Sequence, residues 1–108
     1  MARTDAKTRE TFLVEHYWPG LSADELGARA AEVRAAALEM EREGSAVRYL
    51  RATVVPTDES LLCIFEAGSE QLVREAYMRA GIPFERITAV IPDGTWAERP
   101  QSSKEEGQ

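Results

Sequence analysis

Apolar positions along this chain switch between a period of two and a period near 3.6, and each switch marks an element. Thr11 to Trp18 alternates, with Phe12, Val14 and His16 on one face and Leu13, Glu15 and Tyr17 on the other. Both faces are partly apolar, which predicts an interior strand of a sheet. Pro19-Gly20 ends it. Ser22 and Glu25 then have the spacing of a capping box, with Leu21 and Leu26 in the positions of a hydrophobic staple. Leu26, Ala30, Val33, Ala37 and Met40 follow at helical spacing before Gly44, so a helix is predicted from about Ala23 to Glu43.

Val47 to Val55 is β-branched and aromatic, Leu50, Ala52 and Val54 alternating with Tyr49, Arg51 and Thr53. Pro56-Thr57-Asp58-Glu59 is turn chemistry, and Ser60 to Glu66 is expected to pair back as a hairpin strand. Its unbroken run Leu61-Leu62-Cys63-Ile64-Phe65 predicts burial on both faces. Ser69 starts a second helix with the stripe Leu72, Val73, Ala76, Tyr77 and Ala80, closed by Gly81 and Pro83. Arg86 to Ile91 is the last strand, with Ile87, Ala89 and Ile91 facing one way.

Strand, helix, strand, strand, helix, strand is the split order of the ferredoxin-like fold, an α+β arrangement with a four-stranded antiparallel sheet and two helices on one face. The first and third strands are then central. With Phe12, Val14, Leu50, Ala52, Val54, Leu62, Ile64, Ile87, Ala89 and Ile91 turned to the helices, the open face carries Leu13, Glu15, Tyr17, Tyr49, Arg51, Thr53, Leu61, Cys63, Phe65 and Val90. Such a face is too apolar for water and predicts an interface, met by two sheets packing face to face in a symmetric homodimer. Residues 1–10 are expected to be a flexible extension, 11–92 the domain, and 93–108 a flexible acidic and polar tail in which Trp96 alone has reason to dock.

Length and charge narrow the function. A chain of 108 residues holds one ordinary domain. Nineteen acidic against thirteen basic residues give a net charge of −6, which disfavours nucleic acid and anionic membranes and mildly favours cations. No apolar run approaches the length of a membrane span and no signal peptide is seen, so a cytoplasmic location is expected. Cys63 has no partner for an intramolecular disulfide and reads as a small core residue. A phosphate-cradling glycine loop, CxxC, HExxH and GxSxG are all missing from the sequence.

The candidate chemistry lies at the end of the first strand. His16 is the best transition-metal ligand and Glu15 a neighbouring carboxylate, although strand alternation turns them to opposite faces. With one histidine and one cysteine, a closed metal site is not expected. The competing reading of His16 is a polar residue at the strand end, bonded to a neighbour where the strand meets solvent. Glu15 on the open face has Tyr49 and Arg51 as candidate partners. It reads either as a general acid or base with a raised pKa or as one half of an interface ion pair. A ligand pocket on that face would be lined by Glu15, Tyr17, Tyr49, Arg51 and Phe65.

Several spaced segments together resemble a known family. Phe12-Leu13-Val14-Glu15, Pro19-Gly20, Arg48-Tyr49-Leu50-Arg51, Phe65-Glu66-Ala67 with Ser69-Glu70, Val73-Arg74-Glu75-Ala76 and Gly81-Ile82-Pro83-Phe84 resemble the DUF4242 family of small bacterial ferredoxin-like proteins, over roughly Thr11 to Ile91. The resemblance implies a dimer and nickel binding. The leading expectation is therefore a small cytoplasmic dimer that binds or sequesters nickel through His16 with carboxylates, Glu15 among the candidates. The alternatives are a small-molecule binder or enzyme, a dimeric α+β barrel using the open-face pocket, and a non-enzymatic interaction module.

Overall fold

The first helix begins where its capping box places it. Ser22 Oγ accepts from the Glu25 amide at 3.1 Å, and Glu25 Oε1 accepts from the Ser22 amide at 2.7 Å. The structure, a computed structural model, describes residues 9–92. Residues 1–8 and the tail 93–108 with Trp96 lie outside the described residues, whereas Glu10, expected in the extension, is the first residue of β1. The elements are β1 (Glu10–Tyr17), α1 (Ala23–Arg42), β2 (Val47–Val55), a single 3-10 turn (Pro56–Asp58), β3 (Ser60–Ala67), α2 (Glu70–Ala80) and β4 (Arg86–Val90). The strands form one antiparallel sheet in the order β2-β3-β1-β4, so β1 and β3 are central as expected.

One face of the sheet carries the helices. The α1 stripe Leu26, Ala30, Val33, Ala37 and Met40 is buried, as are Val73, Ala76 and Tyr77 of α2. They close over Phe12, Val14, Leu61, Cys63 and Phe65. Arg79 of α2 ties the helices together, donating to Glu43 at 2.9 Å, to Glu75 at 2.8 Å and to Glu39 at 3.3 Å. These hydrogen bonds raise the guanidinium pKa and lower that of Glu43. Gly81 ends α2 with φ +70°, a left-handed conformation that costs glycine least.

Two sidedness expectations are corrected. Directly paired residues of an antiparallel ladder share a face, and β1 pairs Phe12 with Phe65, Val14 with Cys63 and His16 with Leu61. Leu61, Cys63 and Phe65 are therefore fully buried under the helices, while Leu62 and Ile64 take the open face. An unbroken apolar run has no alternation from which to read a face, so its parity is set by register alone. In β2 the ladder runs Tyr49–Phe65 and then Arg51–Ile64, leaving Leu50 as an extra residue. This bulge turns Tyr49 to the covered side, with its ring edge-on to Phe65 at 5.2 Å, and leaves Leu50 39% exposed. Ile91 lies beyond β4 and is exposed.

Candidate functional site

His16 is buried where a strand-end position in contact with solvent was expected; it is 1% exposed. Its strand places it on the covered face beside Phe12 and Val14, and three aromatic rings complete its surroundings. Trp18 lies 5.0 Å from it and Tyr77 5.2 Å between ring centroids, and Phe84 stands 5.1 Å beyond Tyr77. Arg29 of α1 sits over the Trp18 ring at 5.1 Å. Trp18 itself is held by its amide, which donates to the Glu59 carbonyl, while the Glu59 carboxylate accepts from the Gly20 amide at 2.9 Å. The Pro-Gly turn is thus fastened to the 3-10 turn, and Trp18 is fastened beside the imidazole.

The proton arrangement of His16 follows from its partner. Nδ1 lies 2.9 Å from the Leu61 carbonyl oxygen, which only accepts, so Nδ1 carries the hydrogen. Burial lowers the imidazole pKa; the Leu61 hydrogen bond and the charge of Glu85 oppose that shift without reversing it. The ring is neutral, and Nε2 presents a lone pair that has no partner. The Tyr77 hydroxyl is also buried, with the Cys63 thiol as its neighbour, and burial drives its pKa upward. A buried nitrogen without a partner is uncommon in a folded core.

Glu15 points the other way. Its Oε2 accepts from Arg86 Nε at 2.8 Å, across the β1–β4 pairing of the same two residues. Arg86, not Tyr49 or Arg51, is its partner. Glu15, Tyr17 and Arg51 remain on the open side, and Tyr17 is 52% exposed. Tyr49 and Phe65 are on the covered side, so the five residues expected around one open-face pocket do not come together. The Tyr49 hydroxyl instead approaches Cys63 Sγ at 3.8 Å, inside the core. Burial pushes both the Cys63 thiol and the Tyr49 hydroxyl up in pKa, which suits inert core groups.

As a metal site this donor set fits in one respect and fails in another. A neutral imidazole fixed through Nδ1 with a free Nε2 lone pair is the form in which histidine ligates. Among the described residues, however, no three of His, Cys, Asp and Glu are grouped to hold an ion. The described residues of one chain supply one imidazole nitrogen and no cage. Sequence reasoning passed over Trp18, Tyr77 and Arg86. The β1–β4 pairing was the signal for Arg86, and helical phase placed Tyr77 on the inner stripe. Strand alternation was the signal for Trp18, two residues after His16 and so on the same face.

Comparison with known proteins agrees with the fold and supplies a family. No curated protein matches this chain. The crystal structure of SCO4226 from Streptomyces coelicolor A3(2) is similar, with a TM-score of 0.59 and 23% identity, covering 74% of this chain and 94% of that one. No described helix is long and apolar enough to cross a membrane. The family profile described as nickel responsive protein SCO4226-like matches residues 12–90, the whole of the sheet-and-helix domain but its first strand residues, and the chain belongs to that SCO4226-like family.

Proposed function

We propose that this protein is a small dimeric nickel-responsive binder, acting in the cytoplasm, in which His16 Nε2 is the nitrogen that meets the ion. The observation that carries this reading is the imidazole itself: neutral, anchored through Nδ1 to the Leu61 carbonyl, and left with an unpartnered lone pair at Nε2. The family description supports nickel as the ion. Water and carboxylates would complete its shell, which makes binding weak compared with a closed site. The Trp18 ring lies against the imidazole and borders the site in which the ion would sit.

Glu15 belongs to the other face and does not join His16 on one ion within a chain. It is proposed as a carboxylate of the dimer interface, paired with Arg86 when no cation is present. The interface itself is supported by the apolar residues left on the open side, Leu13, Leu62, Ile64 and Val90, which two sheets packed together would cover.

Calorimetric titration with nickel tests the reading. The wild type should give a saturable isotherm, and His16→Ala and His16→Gln should lose it while far-ultraviolet circular dichroism stays native. An isotherm unchanged in either folded variant removes His16 as the ligand.

A further inference from the structure

A groove of about 520 Å³ runs between α1 and the edge strand β2. That volume lies within the range of small-molecule sites, roughly 300–1,000 Å³. Gly27 and Ala31 form its helix wall, and Tyr49 and Leu50 its strand wall. The bulge shapes it, because Leu50 stands outside the ladder and presents an exposed apolar side chain beside the Tyr49 ring.

Arg34 and Arg51 supply the charge, Arg34 on the helix side beside Tyr49. The positive field of Arg34 acts on the Tyr49 hydroxyl, where it opposes the effect of burial. Among the described residues Arg34 makes no ion pair and no side-chain hydrogen bond. Arg29, Arg42 and Arg51 likewise hold no carboxylate among the described residues, whereas Arg48, Arg74, Arg79 and Arg86 do. In a chain of net charge −6 an arginine left free beside an aromatic ring, in a recess of this size, is complementary to an anion from outside. The far end limits that anion. Glu41, paired with Arg48 at 3.5 Å, borders an adjoining recess of about 150 Å³ that also touches Arg34 and Tyr49, and it repels a second negative group.

We propose that the groove binds a small monocarboxylate with a flat apolar body, its carboxylate on Arg34 and its body between Tyr49, Leu50 and the bare helix surface at Gly27. This site is separate from His16 and does not depend on nickel. Glycine within a helix is unfavourable relative to alanine, and a Cβ added at Gly27 would meet nothing within 4 Å. Packing does not require the glycine, and its bareness keeps the groove wide.

The test titrates 1-naphthoate into the ¹⁵N-labelled full chain, with 1-naphthalenemethanol as the uncharged control. Amide shifts should centre on Gly27, Ala31, Tyr49 and Leu50. Both the alcohol and Arg34→Gln should weaken binding by roughly tenfold, the scale of one charge-assisted hydrogen bond. Gly27→Leu should abolish binding without lowering the melting temperature, which separates a filled groove from a damaged fold. Shifts centred elsewhere, no shifts at millimolar naphthoate, or equal binding of the alcohol would overturn the proposal. So would shifts of the same amides on dilution without ligand, since these would make a second copy of the chain the occupant.

Discussion

The two faces of this sheet use the same strands for opposite purposes. On β1, His16 and Glu15 are neighbours in sequence, yet one is sealed among Trp18, Tyr77 and the Leu61 carbonyl while the other lies in an exposed ion pair with Arg86. On β3, Phe65 is fully buried and Ile64 beside it is only partly covered. The covered face is finished within one chain: its apolar groups are packed, and what it lacks is a partner for His16 Nε2. The open face is the reverse, with Glu15 paired to Arg86 and with Leu13, Leu62, Ile64 and Val90 only partly covered. The proposed ion belongs to the first face, and the proposed partner copy to the second.

Substitutions at adjacent β3 positions break the comparison most sharply. Phe65→Ala should cost about 3–5 kcal/mol in urea denaturation, at every protein concentration, because it empties a site enclosed by one chain. Ile64→Asp should leave the folded protomer intact and weaken self-association by at least about tenfold in sedimentation equilibrium, because it puts an unpaired carboxylate into the proposed dimer contact. Equal, concentration-independent losses in both would mean that the open face is not an interface.

The smallest effect sharpens the covered side alone. The folded-state pKa of His16 lies below its ordinary value of 6.5, so between those two values the unfolded chain binds a proton that the native chain refuses. His16 therefore contributes full stability above pH 6.5, and that contribution is lost as pH falls from there toward its folded pKa. Thermal melts across this window should show the slope in the wild type and a flatter one in His16→Gln. Glu43 adds a second loss at lower pH. Its carboxyl is lowered from 4.5 by Arg79, so its contribution is present above 4.5 and disappears as pH falls through the folded value.

Much of this molecule was legible in the chain. Alternation along β1, the Ser22–Glu25 box and the α1 stripe led directly to the element order, and that order led to the sheet. What could not be read was parity where the pattern is uniform. Leu61 to Phe65 is apolar at every position, so only pairing with β1 decides that Cys63 goes in and Ile64 stays out. The bulge at Leu50 leaves no mark on the alternation, yet it moves Tyr49 from one face to the other. The separation of Glu15 from His16 was visible in strand geometry. The burial of His16 was not, because it depends on α2 bringing Tyr77 to the imidazole and on Glu59 holding Trp18 beside it.

The lone imidazole is also the most direct reporter of the covered face. In a one- and two-dimensional NMR titration of the unmodified protein with nickel, the His16 ring signals should broaden or shift first, at substoichiometric ion, with Trp18 following and the Glu15–Arg86 side unaffected. His16 signals that stay sharp while resonances around Glu15 broaden would contradict a nitrogen ligand beneath the helices and move the nickel response to the open face.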